Sequence, residues 1–339
     1  MIVEALVKAR AGRHLSEDEA YAAFREIMNG EVTSEAVLAA LLTAMEMNGP
    51  DAAEVTGAAR AMRAVCVEVH APAGAVDIVG TGGDGLDTFN VSTTAAIIAA
   101  GAGVTVAKHG NKASTSRSGS ADCLAALGYD LMTPVEGVEK SIRENGIGFL
   151  FANRCHPAMM YAAPVRRALP YRTIFNLVGP LSNPAGVKRH ALGVYSPAII
   201  PLYVSALRTF GAERALVFCG PDGLDELGIS GKSRVAELRA DGSLREYEFD
   251  PKKVFGAERP VDSIRGGSPE TNARIVRDVL SGKERGACRD AAALNAAAAI
   301  VAGGAAASLE EGIALAYKSI DSGAASAKLE SLVSPRPAA

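Results

Sequence analysis

No apolar run in this 339-residue chain is long and unbroken enough to span a bilayer, since the most apolar stretches, 95–107 and 293–309, are short, rich in alanine and glycine, and interrupted. They suit tightly packed buried helices, and no membrane role is expected. A basic excess is missing too. With 35 Lys and Arg against 38 Asp and Glu the formal net charge is −3, so no nucleic-acid-binding face is advertised and any anion site must be local. Cysteine is sparse. Cys66, Cys123, Cys155, Cys219 and Cys288 are widely spaced, odd in number, and form no CxxC or zinc-type spacing, which predicts free thiols in a reducing cytosol. The N-terminal stretch mixes acids and bases and lacks the apolar centre of a signal peptide, so a cytoplasmic location is expected. There is no repeat of solenoid period.

What is present is ordinary for a globular protein: 48% hydrophobic and 22% charged residues. Residues 1–72 read as helices without strands. Ser16 precedes EDEAYAAFREIM and Gly30, Thr33-Ser34-Glu35 opens a run ending at Asn48-Gly49-Pro50, and Asp51 opens another through Arg63. From residue 75 the pattern changes to short β-branched or apolar runs, AVDIVG, GVTVAKHG, GIGFLF, RHALGVY and RALVFCG, each followed by a helical stretch. This predicts an α/β fold: a small N-terminal helical domain beside a larger domain (73–335) with a mixed, mostly parallel sheet wrapped by helices, and function in loops beyond the strand ends. Prolines break 164–184 into short helices and turns that return to the helical bundle. After Asp250 a connector should lead to helices over 270–280, 287–302 and 309–320, and then a polar tail.

Four segments could carry chemistry. In VDIVGTGGDGLDTFNVST a strand runs into Gly80-Thr81-Gly82-Gly83-Asp84, and a helix begins near Asn90 to Thr93. Glycines let successive N–H groups converge on an anion at a helix start. The same pattern also fits a structural turn with a helix cap. Asp84 in such a loop points to a cation travelling with a phosphate, or to a hydroxyl donor. In VTVAKHGNKASTSRSGSADCLAALG, Lys108, His109, Asn111, Lys112 and Arg117 stand among Ser114, Thr115, Ser116, Ser118 and Ser120, a mixture that could clothe phosphate oxygens or form a solvated basic surface loop. In GPDGLDEL the adjacent Asp225 and Glu226 suit Mg²⁺, or a helix N-terminus. In FANRCHPAMMYAAPVRRALPYRTIFNLVGPLSNP, Arg166 or Arg167 could grip a carboxylate beside apolar walls, or be a surface pair. His156 could touch substrate or be a satisfied half-buried histidine.

Together, GTGGDGLDTFNVST, KHGNKASTSRSGSADCLAALG, HPAMMYAAPVRRALPYRTIFNLVGPLSNP and GLDEL resemble, in order and spacing, the anthranilate phosphoribosyltransferase family over nearly the whole chain. Two positions depart from the family pattern, Lys112 for arginine and Arg117 for lysine. The resemblance implies transfer of the phosphoribosyl group of phosphoribosyl pyrophosphate to the amine of anthranilate, the second step of tryptophan biosynthesis from chorismate. By the same resemblance, Gly80, Gly83, Asp84, Thr88, Asn90, Val91, Ser92, Thr93, Lys108, Ser116 and Ser120 bind phosphoribosyl pyrophosphate. Anthranilate would meet Gly80, His109, Asn111, His156 and Arg166, and Mg²⁺ would be held by Ser92, Asp225 and Glu226, with no covalent nucleophile. It further implies a homodimer, and a helical domain of 1–72 joined by part of 171–187. Two other readings are a pyrimidine nucleoside phosphorylase and a non-catalytic nucleic-acid-binding relative. The GLDEL acids and APVRR weigh against the first, and the net charge against the second.

Overall fold

Helix starts in the N-terminal region follow the side-chain chemistry of their first residues. The Ser16 hydroxyl accepts from the Glu19 N–H (3.3 Å) while the Glu19 carboxylate accepts from the Ser16 N–H (2.7 Å), and helix Glu17–Met28 begins there. Asp51 and Glu54 open Ala52–Arg63 in the same reciprocal way, and Ser34 caps Glu35–Asn48 through the Val37 N–H. The computed structural model describes residues 1–32, 34–113 and 116–333. Thr33, Ser114, Thr115 and the tail from 334 therefore lie outside the described residues.

The chain divides into two units, the first made of Met1–Glu68, Ala152–Gly186 and Pro201–Gly211. This helical unit takes more of the chain than the expected 1–72 with 171–187, because the segments after the third and fourth strands contribute apolar faces to it. Phe175, for example, meets Phe24 edge-on at 5.3 Å between ring centres. Helix Ala52–Arg63 lies so close to Glu17–Met28 that a Cβ on Gly57 would collide with the Glu17 carbonyl and sit 2.8 Å from Ala20 Cβ. Gly57→Ala should therefore destabilise the protein by about 1–3 kcal/mol despite alanine's better helix propensity, measured by urea unfolding.

The second unit, Val69–Phe151, Val187–Ile200 and Ala212–Ala339, holds a seven-stranded sheet. Its strands are β1 (Val76–Gly80), β2 (Val106–Gly110), β3 (Ile147–Phe151), β4 (Arg189–Gly193), β5 (Arg214–Cys219), β6 (Ser233–Leu238) and β7 (Leu244–Phe249). They run in the order β3-β2-β1-β4-β5-β6-β7, with β1 to β5 parallel and β6 and β7 antiparallel. The five parallel strands are those the sequence pattern predicts. β6 and β7 were not foreseen, because the edge strand LREYEF is mostly exposed and charged and offers no apolar run. The connections after β1, β2, β4 and β5 all leave the carboxyl edge of the sheet, where ligands of such folds are received.

Small residues let the helices press together. Helix Ala287–Ala302 is buried along nearly its whole length and packs on Val91–Gly101, and a Cβ on Gly312 would come within 2.8 Å of Ala297 Cβ. The expected polar tail is corrected: residues 324–333 form a helix whose Ala325, Leu329 and Leu332 recur at helical spacing and are buried. Among the described residues no helix is long and apolar enough to cross a membrane.

Candidate active site

β1 ends at Gly80, and the chain turns through Gly82, Gly83 and Gly85 with φ of +72°, +75° and +77°. Helix Val91–Gly101 then starts from Asn90, whose side chain makes no cap. Instead the Asn90 amide donates to the Ser118 carbonyl (3.1 Å) and accepts from Asn272 Nδ2 (2.8 Å), joining this loop to the one after β2. The helix start is satisfied from far along the chain. Glu226 Oε1 accepts from the Ser92 N–H (3.0 Å), and Asp225 Oδ2 accepts from the Gly82 N–H (2.5 Å). The structure shows the second sequence reading of the acid pair: Glu226 stabilises a helix N-terminus, while Asp225 holds a peptide of the glycine loop. Side chains at Gly80 or Gly193 would collide with Asp225, so two strand-end glycines make its seat.

Lys108, on β2, is 3% exposed and donates to the Ile78 carbonyl (2.6 Å) and to Ser92 Oγ (3.4 Å). Burial pushes its pKa down, while Asp77, Glu226 and Asp225 act in the opposite direction. Burial pushes Asp225 up to about 7, helped by neighbouring Asp84, and drives Glu226 well above the carboxylate range, helped by Asp225. Three acids thus face one buried ammonium close by. Asp84 Oδ1 accepts from the Leu86 N–H, whereas its buried Oδ2 receives no hydrogen bond among the described residues. Such an excess of hard, under-satisfied oxygens fits a divalent cation.

The same oxygens do not gather into a closed metal cage. Among the described residues, the side chains that bring three ligand atoms within 4.8 Å of one another are His14, Asp51 and Glu54. There the Glu54 oxygens already accept from Leu15 N, Asp51 N and His14, which explains that cluster as helix capping. A cation at Asp225 and Glu226 would therefore need ligands from the diphosphate.

The remaining site residues spread over backbone and surface. Val91 and Thr93 are buried, the Val91 N–H donates to the Phe89 carbonyl (2.7 Å), and Thr88 is bridged to Arg265. His109 is buried on β2, with its N–H donated to Asp77 Oδ1. Asn111 and Ser116 are exposed, and Ser120 Oγ donates to the Asn111 carbonyl (3.2 Å). Lys112 is exposed, and Arg117 lies 3.8 Å from Asp87 in an exposed pair. Burial pushes the Cys219 thiol near the acids up to about 11, so it is no nucleophile at neutral pH.

Arg166 and His156 belong to the helical unit. The Arg166 guanidinium lies 5.3 Å from the Phe175 ring centre, and no carboxylate or hydrogen-bond acceptor meets it among the described residues. His156 is 5% exposed, and burial pushes it down to about 4, so it is neutral at physiological pH. Below pH 6.5 the unfolded chain takes up a proton that the folded one refuses, so stability should fall with pH until about 4. Urea unfolding at about pH 7 and about pH 4.5 should show wild type losing roughly 2–3 kcal/mol more than His156→Gln.

Sequence reasoning missed Asn272, Asn295, Ser233 and the segment 264–267. Asn272 Oδ1 accepts from the Gly267 N–H (2.8 Å), and Ile264 and Gly266 pair with Phe89 and Asp87 through the backbone. The available signal was polar asparagine inside otherwise apolar helical faces, NARIVRDVL and AALNAAAAI.

Comparison with known proteins accords with this geometry. The profile described as "Glycosyl transferase family, a/b domain" matches residues 72–326, and "Glycosyl transferase family, helical bundle domain" matches residues 3–66. A curated anthranilate phosphoribosyltransferase from Rubrobacter xylanophilus is 53% identical, covering 98% of this chain and 97% of that protein. The crystal structure of anthranilate phosphoribosyltransferase from Thermus thermophilus superposes with a TM-score of 0.91 at 46% identity, covering 97% of this chain and 98% of that one. The Saccharomyces cerevisiae enzyme, solved in complex with PRPP and Mg, gives 0.89 at 31% identity, covering 98% and 96%.

Proposed function

This chain belongs to the anthranilate phosphoribosyltransferase family, and from that premise we propose how its own residues carry out the transfer of a phosphoribosyl group from phosphoribosyl pyrophosphate to the amine of anthranilate. The observation that carries the reading is the knot of buried Asp225, Glu226 and Lys108 with half-buried Asp84 against a glycine loop and a helix start. Gly80, Gly83, Asp84, Thr88 and the Asn90 to Thr93 peptides form one wall of the phosphoribosyl pyrophosphate site, and Lys108, Ser116 and Ser120 the other. Ser92, Asp225 and Glu226 would hold Mg²⁺, which supplies positive charge to the diphosphate.

Breaking the bond to the ribosyl carbon builds positive charge on the ring and negative charge on the departing diphosphate. Stabilising the latter is the largest catalytic demand, and the Lys108 ammonium is fixed beforehand to meet it. An aniline-type nitrogen is unprotonated at neutral pH, so no strong general base or covalent nucleophile is required. Arg166 takes the anthranilate carboxylate, its guanidinium being half-buried and unpaired with any acid among the described residues. By the resemblance, Gly80, His109, Asn111 and neutral His156 are the other residues assigned to anthranilate.

Exposed Val3, Val7 and Met47 on the helical unit support a homodimer built through that unit, which sedimentation would show. The free cysteines and the absence of an apolar spanning helix among the described residues are compatible with work in the cytoplasm. The reaction is tested by loss of anthranilate fluorescence on adding phosphoribosyl pyrophosphate, with and without Mg²⁺. Signal loss only with both substrates and metal is expected, whereas Mg²⁺-independent phosphorolysis of uridine or thymidine would show the assignment to be wrong.

A further inference from the structure

Asn295 stands fully buried in the middle of helix Ala287–Ala302, among alanines. A buried amide is costly unless bonded, and this one is bonded to a single distant residue. Its Oδ1 accepts from the Leu227 N–H (2.8 Å), and its Nδ2 donates to the Leu227 carbonyl (3.0 Å) and to the Ala291 carbonyl (2.9 Å). Donor and acceptor of one residue are thus both held, the exchange that pairs strands, which restrains sliding and rotation of that peptide together. Leu227 directly follows Asp225 and Glu226. On the near side the Asp225 carbonyl rests where Gly193 has no Cβ, and on the far side the Gly228 N–H donates to the buried Ser233 hydroxyl (2.9 Å).

We propose that Asn295 is a positioning residue for the acid pair: by clamping both peptide groups of Leu227 to the central helix, it sets where the two carboxylates present their oxygens to magnesium and diphosphate. This rests on the reading of Asp225 and Glu226 as metal ligands. Mg²⁺ demands near-ideal octahedral geometry, so a fraction of an ångström in the backbone beneath those acids changes affinity. Other contacts to the acids, from Gly82 and Ser92, come from loop and helix-start N–H groups, whereas the clamp comes from the core.

The test measures Mg²⁺ with phosphoribosyl pyrophosphate binding by calorimetry, alongside steady-state KM values and thermal midpoints. In Asn295→Leu, similar in size but without polar atoms, binding and the half-saturating Mg²⁺ concentration should weaken by at least about tenfold, equivalent to about 1.4 kcal/mol, with anthranilate KM within about twofold. Asn295→Asp keeps the acceptor for the Leu227 N–H and should recover part of the loss. A lowered thermal midpoint with unchanged Mg²⁺ and diphosphate binding, or an equal rise in both substrates' KM, overturns the proposal. Should the leucine variant not fold, Asn295→Ala takes its place, and wild-type Mg²⁺ and diphosphate binding by it overturns the proposal. Asp225→Asn with Glu226→Gln is the control: if that variant binds metal normally, the ligand assignment has failed, whatever Asn295 does.

Discussion

Asp225→Asn combined with Glu226→Gln will lower kcat/KM for phosphoribosyl pyrophosphate by about three orders of magnitude while leaving the protein folded. The amide oxygens can still accept from the Gly82 and Ser92 N–H groups, so the glycine loop and helix start keep their partners. What disappears is negative charge that the interior already disfavours, as the upward displacement of both carboxyls shows. Lys108 retains Asp77 as a counter-charge, and the thermal midpoint should hold or rise. Magnesium dependence should be lost or displaced to much higher concentration, with anthranilate KM little changed. An unaltered Mg²⁺ titration would remove the pair from the metal site.

Arg166→Ala will raise the anthranilate KM by about two orders of magnitude or more and leave the phosphoribosyl pyrophosphate KM within about twofold. The guanidinium is withdrawn from water and has an aromatic face beside it but no acid among the described residues, so the fold supplies no internal reason for the charge. A planar carboxylate is the partner that matches its fork, and lysine would restore charge without the two parallel bonds. Arg166→Lys should therefore recover only a small part of the loss. Equal damage to both substrates would mean that Arg166 shapes the protein rather than the acceptor site, and circular dichroism with unfolding would distinguish the two.

Local rules of side-chain chemistry were enough to read the capped helices at Ser16, Ser34 and Asp51, the five parallel strands and the glycine turn after β1, because each depends on residues a few positions apart. The resemblance in motif order was enough for the family. Strands β6 and β7 and the last helix escaped, since a charged edge and a short apolar stripe are weak signals until a neighbour covers one face. The acids' attachment to Gly82 and Ser92, the bond from Asn272 to Asn90, and the clamp on Leu227 join residues 68 to 182 positions apart. Nothing local encodes such pairings. They exist because the parallel sheet delivers its strand ends to one edge and the alanine helix packs closely enough to reach them, and burial there, not residue type, gathers an acid pair and a lysine into one cluster with displaced pKa values.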